Sequence, residues 1–508
     1  MKSKFLALLL CSLLLISLTS SANTVKQSIS GKNKYTIGSG QNSSKGNTKV
    51  SQSSGVSGQN NNVNQGVTIS NTNTGSTSQD ITQSATVNGN GNSVTNQVTA
   101  TNINQDGSNF TVGQEQKTTG DNNVALQDLG ALNTNGAGSS FTAQQNGNIE
   151  GDNNSADQKS ASVLITDNGA IVNVKQNGNI RGSNNADINQ GQAILNANDG
   201  GALAFSQESN VEGDDNDNIE QTQISLAADK TSASLSQQSS DIKGNNNDDI
   251  SQRQNLIYSN TNSVGSAFDQ TNKVEGNNNN DISQAQTFAV GNDNGSSAVA
   301  IQNNEITGDS NYNVTQAQAP SLTNDHGSNS RGRQDNTIAG NGNNGVNQTQ
   351  SGETTNDNGS DFEARQNNNI NGDNNLDVVQ GQNQMTLNNN NADATYQQNN
   401  DFNGDDNHLA QGQLSIMSTT SGATSDYQQN SQVQGNGNAI GQVQGILDSN
   451  RNGANVVLNQ IVNNQGNNNG VTQTLVGQQT NDGVPRQITQ TNNVQGDNQI
   501  VANAFPDP

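Results

Sequence analysis

Residues that usually stabilise a globular fold are scarce in this chain. Its 508 residues include one cysteine, no tryptophan, two histidines and four prolines. Apolar residues make up 27% and aromatic residues 3%, too little for a conventional core and within the range typical of disorder. The single cysteine, Cys11, lies in an N-terminal apolar segment, so the remainder has no disulfide and no cysteine metal site. A folded chain of this composition must be stabilised by other means.

Basic residues are also few, with 20 Lys and Arg against 44 Asp and Glu, for a formal net charge of −24. Binding to nucleic acid requires clustered Lys and Arg to neutralise phosphates, so no nucleic-acid partner is expected. The same sign disfavours anionic membrane surfaces. We expect the acidity to provide solubility and repulsion between copies.

The N-terminus predicts a secretory signal peptide. Met1 to Lys4 is short and basic, residues 5–18 are apolar, and Ser20, Ser21 and Ala22 offer a small-residue cleavage site. The alternative, a membrane anchor, is disfavoured because about 20 apolar residues are needed to span a bilayer. We therefore expect cleavage near Asn23, no membrane span afterwards, and a secreted protein located outside the cell or at the cell surface.

What the chain does contain is a glycine-centred turn repeated every 30, 31 or 32 residues. A glutamine precedes each of these anchor glycines by six residues, and an asparagine follows by three, except at the last turn, where Gln499 stands. Such a fixed period is the signature of a solenoid or array. The anchor glycines are Gly58, Gly89, Gly120, Gly151, Gly182, Gly213, Gly244, Gly276, Gly308, Gly340, Gly372, Gly404, Gly435, Gly466 and Gly496.

Within each repeat, the apolar and glutamine positions alternate with a period of two. Around Gly308, for example, Gln302 and Ile306 precede it and Val314 and Gln316 follow it, all at even offsets. In extended chain such residues face one side, which predicts two β-strands per repeat. The predicted fold is an all-β solenoid of about 15 coils. The alternative is a disordered, prion-like Asn/Gln-rich tract, but disorder gives no reason to conserve one register over the repeats.

The predicted boundaries are a signal peptide at 1–22, an irregular N-terminal cap at 23–50, solenoid repeats at 51–500 and a C-terminal tail at 501–508. Inside the solenoid, stacked amides are expected to bond from coil to coil, as in Asn/Gln ladders of cross-β assemblies. The predicted ladder residues are Gln207, Gln238, Gln270, Gln302, Gln334, Gln366 and Gln398, with Asn216, Asn247, Asn311, Asn343 and Asn375 in the turns.

The spacing of amides, such as Gln302, Asn311 and Gln316, resembles that of curlin, the major subunit of bacterial curli fibres. Curlin repeats are strand–turn–strand units with inward Gln and Asn and a glycine in the turn, although its coils are shorter, fewer and less acidic. The resemblance is one of architecture, without a letter-for-letter motif. It implies secretion and amyloid-like self-association.

Other candidate sites are weaker. Aspartates often follow the anchor glycine, and these are either solvated turn residues or ligands of calcium, which takes several oxygens. Catalysis finds little support, because the two histidines stand apart and the charges are scattered, so no enzyme, cofactor or catalytic metal is predicted. Candidate N-glycosylation sequons begin at Asn42, Asn109, Asn153, Asn294, Asn313, Asn347 and Asn358.

The sequence therefore predicts a secreted structural repeat protein that forms or decorates an extracellular matrix, coat or amyloid-like fibre. Self-association is expected. The alternative is an adhesin-like rod that binds an extracellular polysaccharide or a cell surface. An aromatic or Asn/Asp-lined stripe repeated on one outer face would favour this alternative.

Overall fold

The structure is a computed structural model that describes residues 23–30, 34–43, 48–73, 78–104, 107–166, 170–229, 232–262, 265–420, 422–450, 455–467, 470–481, 486–496 and 500–504. The predicted signal peptide, 1–22, lies outside these residues. The chain forms two compact units, Met1–Ser251 and Gln252–Pro508.

Unit 1 consists of β-strands joined by short turns. Its strands are β1 Asn23–Ser30, β2 Lys34–Ser43, β3 Thr48–Ser57, β4 Asn62–Asn73, β5 Ser78–Asn88, β6 Ser93–Asn104, β7 Asn109–Thr119, β8 Val124–Asn135, β9 Ser140–Glu150, β10 Ser155–Thr166, β11 Ala170–Arg181, β12 Ala186–Asn198, β13 Gly201–Glu212, β14 Asp217–Asp229 and β15 Ser232–Lys243.

Unit 2 is built in the same way, with β16 beginning just before its first residue. Its strands are β16 Ile250–Asn260, β17 Gly265–Glu275, β18 Ser283–Asn292, β19 Ser297–Thr307, β20 Thr315–Asn324, β21 Asn329–Ala339, β22 Asn347–Asn356, β23 Asp361–Asn371, β24 Val378–Asn388, β25 Asp393–Asn403, β26 His408–Thr419, β27 Thr424–Gln434, β28 Ala439–Asn450, β29 Asn455–Gln465, β30 Gly470–Asn481, β31 Arg486–Gln495 and β32 Ile500–Ala504.

Successive strands alternate between two parallel sheets. In unit 1, odd-numbered strands β1–β15 form one sheet and even-numbered strands β2–β14 the other; in unit 2, β17–β31 and β18–β32 do the same. Each strand pairs with the strand one repeat away, as Gln302 of β19 pairs with Gln270 and Gln334. The prediction of an all-β solenoid with two strands per repeat is confirmed. Among the described residues no helix is long and apolar enough to cross a bilayer.

The interior of the stack is layered. Aliphatic residues from both sheets meet beside the glycine-centred turn, as in the cluster that includes Val87 and Val94. Glutamines fill the middle, and in some coils an aromatic ring packs near the second turn. Phe110 and Phe141, one coil apart, have ring centroids separated by 5.6 Å. The interior is therefore part apolar and part amide, which explains how a chain so poor in apolar residues encloses a core.

The anchor glycine is required by the close approach of consecutive turns. Gly308 has a φ of 139°, and a Cβ at this position would lie 2.0 Å from the Gly276 carbonyl oxygen. No side chain fits there. Two residues later the chain again takes a left-handed conformation, as at Ser310 with a φ of 58°. These constraints account for one glycine per repeat.

The glycine-centred turn also absorbs changes in repeat length. Gln380 lies eight residues after its glycine and Gln411 only seven, yet the two pair directly. The longer turns hold one additional left-handed residue, five positions after the glycine, as at Asp377 with a φ of 51°. The shorter turn after Gly404 lacks it, so the strand register is conserved.

Both ends of the paired region extend beyond the predicted boundaries. β1 and β2 lie within 23–50, expected to be irregular, and pair in parallel with β3 and β4. They extend the period-two pattern, since Ile29 lies opposite Val56. β32 pairs with β30 and reaches into the predicted tail, whose residues 505–508 lie outside the described part of the chain. The role of the N-terminal coil as a cap stays a prediction.

Candidate functional site

The glutamine ladder lies in the interior of the odd-numbered strands. Gln302 Nε2 donates to Gln270 Oε1 over 2.8 Å, and Gln334 Nε2 donates to Gln302 Oε1 over 3.3 Å. Every predicted member is at most 2% exposed. The bonds between predicted members join Gln207 to Gln238, and Gln270, Gln302, Gln334, Gln366 and Gln398 to one another in sequence.

Two more ladders, which were not among the predicted site residues, follow the even-numbered strands of unit 2. One joins Gln284 to Gln316 over 2.9 Å and the other joins Gln286 to Gln318 over 3.0 Å. In the second, Gln318 Nε2 also donates to the Asp335 backbone carbonyl of the opposite sheet over 3.0 Å. These amides tie the two sheets together as well as consecutive coils. Their signal in the sequence is the pair of glutamines eight and ten residues after the glycine.

All of these glutamine bonds have the same direction, from Nε2 of the later coil to Oε1 of the earlier one. Each contributes about 1 kcal/mol net, but a slip of register would leave many buried amides without partners at 1–3 kcal/mol or so each. The ladders therefore specify alignment more than they add stability. They also give the stack a polarity that a second copy would have to match.

The turn asparagines bond to backbone, and one predicted pair also bonds side chain to side chain, with Asn216 Nδ2 donating to Asn247 Oδ1 at 3.1 Å. Asn311 Oδ1 accepts the Asn279 backbone N–H at 2.9 Å, and its Nδ2 donates to the Gly308 carbonyl at 3.1 Å. The side chain must supply both an acceptor and a donor, which aspartate cannot do. The other predicted members accept a backbone N–H in the same way: Asn216 from Asn185, Asn247 from Asn216, Asn343 from Asn311 and Asn375 from Asn343.

The aspartates that follow the anchor glycine have a structural use that the sequence did not reveal. Asp309 Oδ1 accepts the Asn341 backbone N–H of the next coil at 2.7 Å, and Asn341 Oδ1 accepts that of Asp373 at 2.7 Å. Only an acceptor is needed, so Asp and Asn alternate freely. Asp121, Asp152, Asp214, Asp373 and Asp405 make the equivalent bond, whereas Asp497 lies outside the described residues.

Six of the candidate sequon asparagines are exposed, which is compatible with glycosylation but does not test it. Asn153, Asn294, Asn313 and Asn358 are left-handed turn residues, while Asn109 and Asn347 begin strands. Asn42 lies in β2, and its side chain is outside the described part of the structure. Glycosylation stays a prediction.

The two histidines are both exposed and lie apart in the chain. His326 lies in a second turn, and its Nδ1 is 2.9 Å from Asp293 Oδ1 and 3.1 Å from Asp325 Oδ2. His408 is the first residue of β26 rather than part of a turn. The contacts of His326 are those of an exposed ion pair, which contributes little to stability. The expectation that the chain is not an enzyme stays a prediction.

The outward face of the odd-numbered strands carries columns of amides and carboxylates. In unit 1, Asn210 Nδ2 donates to Asn179 Oδ1 over 2.9 Å, and Asn179 Nδ2 donates to Asn148 Oδ1 over 3.0 Å. In unit 2 the same face holds Asp269 and Asp401, and partial burial raises the pKa of both carboxyls above the ordinary value. An outward Asn/Asp stripe of this kind is a feature that would favour the adhesin hypothesis.

The geometry thus consists of inner amide ladders, a turn network and outward stripes. Comparison of the chain with protein-family models, with curated proteins and with solved structures found no match. The resemblance to curlin repeats stays a prediction about architecture.

Proposed function

We propose that this chain is a secreted structural repeat protein that forms or decorates an extracellular matrix, coat or amyloid-like fibre. The supporting observation is the polar ladder, in which Gln302 Nε2 bonds to Gln270 Oε1 and the same bond recurs along the stack. Parallel strands with identical stacked amides are the basis of cross-β assemblies. A solenoid end is itself a strand edge that pairs with another chain unless it is blocked.

Charge sets the conditions for assembly. The formal net charge of −24 opposes contact between copies at neutral pH. Below about pH 4 most carboxylates are protonated, and high salt screens those that remain. Assembly is therefore expected to accelerate in acid or in salt.

The test is light scattering and electron microscopy of the purified protein across pH and ionic strength. Fibres or sheets that appear faster below about pH 4, with a meridional reflection near ~4.8 Å, would support the proposal. A protein that stays monomeric under every condition would overturn it. Recovery of the full-length chain from the culture medium, lost when Leu8 and Leu9 are changed to Arg, tests the secretion that the proposal assumes.

A second candidate, an adhesin-like protein that binds an extracellular polysaccharide, is favoured by the outward Asn148–Asn179–Asn210 column. Such amides are suitable hydrogen-bonding partners for hydroxyl groups. Co-sedimentation with insoluble cellulose and chitin tests it, with Asn179→Ala and Asn210→Ala as the variants. Retention that these variants do not reduce would argue against this face as the binding surface.

A further inference from the structure

The outward face of the even-numbered strands in unit 1 carries an extended apolar surface. Over β8, β10, β12 and β14, three neighbouring rows of aligned residues are uncharged and almost entirely apolar. They are Gly130–Ala161–Ala193–Ile224, Leu132–Val163–Leu195–Leu226 and Thr134–Ile165–Ala197–Ala228. We call these rows the aliphatic stripe. Leu132, Ile165 and Leu195 are 43%, 52% and 46% exposed.

Single exposed aliphatic residues are normal on protein surfaces and require no explanation. A contiguous set, aligned over four consecutive strands, instead marks an interaction surface. The contrast is sharp in a chain with 27% apolar residues, whose opposite outer face carries Asn148, Asn179 and Asn210. In this stripe, apolar residues, which are scarce in the chain, lie on the surface instead of in the interior.

Charge favours a second copy as the occupant. The stripe contains no ionisable group, although the chain has a formal net charge of −24. The charged outward residues of the same strands lie nearer the glycine-centred turn, among them Asp128, Glu220 and the Lys159–Asp157 ion pair at 2.8 Å. Two copies that meet through their stripes therefore avoid the repulsion that opposes other approaches.

Shape favours the same occupant. The ridge Leu132–Val163–Leu195–Leu226 runs beside a row whose first three residues, Gly130–Ala161–Ala193, are small, so the row leaves a groove over β8, β10 and β12 that ends at Ile224. Ridge and groove repeat at the strand spacing of about 4.8 Å. A partner that interdigitates over three strands must have the same period, and a second copy has it. Inserting each ridge into the other copy's groove gives a self-complementary, two-fold contact.

Unit 2 carries a second aliphatic patch on its own even-numbered strands. Met385 pairs with Ile416 across β24 and β26, and Leu387 and Leu414 lie beside them, with exposed fractions of 45%, 40%, 38% and 37%. The stripe covers on the order of 300 Å², from about 4.8 Å per strand and 3.3 Å per residue, and the unit 2 patch, which spans two strands, covers about half of that. This is well below the ~800 Å² per partner of a standard interface, so one patch alone gives weak binding.

We propose that copies of this chain associate laterally, sheet face to sheet face, through the aliphatic stripe of unit 1. The proposal rests on the structural function proposed above and specifies the contact by which stacks would bundle. It is distinct from end-to-end growth, which uses strand edges and amide ladders.

Sedimentation velocity over a range of concentrations in high salt tests the proposal. The stripe variant is Leu132→Thr/Ile165→Thr/Leu195→Thr, which places a polar, β-branched side chain suited to a strand at each position. The matched control is Ile171→Thr/Leu235→Thr, which changes exposed aliphatic residues of odd-numbered strands, 57% and 45% exposed. Thermal unfolding verifies that both variants fold. We expect wild type and control to dimerise reversibly and the stripe variant to associate about ten-fold more weakly or worse.

The outcomes separate this inference from the proposed function. A stripe variant that dimerises like wild type, while fibres still form at low pH, overturns the lateral contact and leaves the structural function standing. A wild type that neither dimerises nor forms fibres overturns both. A monomeric wild type whose binding to phosphatidylcholine vesicles is lost in the stripe variant would assign the stripe to a lipid surface and overturn the second-copy proposal.

Discussion

Gln302 Nε2 donates to Gln270 Oε1 over 2.8 Å, and both side chains are 1% exposed, so a bond between polar groups lies inside the stack at the position where most folds place apolar contacts. The same Gln302 accepts from Gln334 over 3.3 Å. Removing one glutamine therefore affects the coil on either side.

Replacing Gln302 and Gln334 by Ala should destabilise the protein strongly. The Gln366 amide loses its acceptor and the Gln270 oxygen loses its Gln302 donor, each at about 1–3 kcal/mol. The control, Asn303→Ser, removes an outward, half-buried amide that faces Asp335 and should cost well under 1 kcal/mol or so. Urea unfolding measures both. Equal loss of stability in the two variants would show that the inward glutamines contribute no more to the free energy of unfolding than the outward asparagine.

Two turn positions that look alike should respond differently to the same exchange of Asn and Asp. Asn311 is fully buried and uses both its oxygen and its NH₂ group, so Asn311→Asp buries a carboxylate that cannot donate to Gly308. We expect a loss of several kcal/mol or so at pH 7, smaller in acid. Asp309→Asn retains the oxygen that accepts from Asn341 and should be neutral. Thermal melts at pH 7 and pH 4 compare the two, and similar shifts would contradict the bonding pattern.

Acid should stabilise the fold rather than unfold it. Desolvation raises the pKa of Asp269, Asp401 and Asp426 above the ordinary 3.8. A carboxyl with a raised folded-state pKa favours folding below its unfolded pKa, and this contribution is lost as pH rises through the folded value. The free energy of unfolding should therefore increase from pH 7 towards pH 4. In Asp269→Asn/Asp401→Asn/Asp426→Asn this increase should shrink; an unchanged pH profile would mean that these groups do not contribute.

The period-two pattern predicted most of the fold, because apolar residues and Gln recur at alternate positions of each strand. That pattern was sufficient to place Gln302 inside and Asn303 outside. The bonds of Asn311 were harder to predict, since nothing in the letters says whether an amide bonds to side chain or backbone. The aspartate column was read as solvated or calcium-binding, because its acceptor role depends on the rise from one turn to the next.

The outward stripes were missed for a different reason. Leu132 and Val163 lie 12 residues after their anchor glycines, whereas Leu195 lies 13 after its own. They become one aligned surface only because the additional left-handed turn residue Asp187 restores the register between β10 and β12. When the sequence is compared repeat by repeat, the inward face is recognised first, because packing restricts the residue types at inward positions more strictly than at outward ones.

The first coil has an aliphatic residue opposite a buried glutamine in each sheet. Val25 lies opposite Gln52, and Ile37 lies opposite Gln65. Neither valine nor isoleucine has a group that accepts a hydrogen bond. Consistent with this, Gln52 Nε2 and Gln65 Nε2 are buried without hydrogen-bond partners. Because the ladder donors point towards the N-terminal coil, this coil is the place where a chemical cap would act.

Changing Val25 and Ile37 to Gln should therefore convert the cap into one more ladder step. Gln52 and Gln65 each gain an acceptor, which should raise the free energy of unfolding by about 1 kcal/mol per bond. The new side chains also present Nε2 donors at the end of the stack. The C-terminal coil of another copy, which carries Gln490, can then continue the ladder. The lag before fibre formation should therefore shorten. The control is Val25→Thr/Ile37→Thr, which is polar and β-branched but too short to reach the next amide. Urea unfolding and thioflavin fluorescence measure the two effects. If the glutamine variant matches the threonine control in stability and in lag, Val25 and Ile37 do not cap the ladder. In that case the charge of the chain alone limits end-to-end growth.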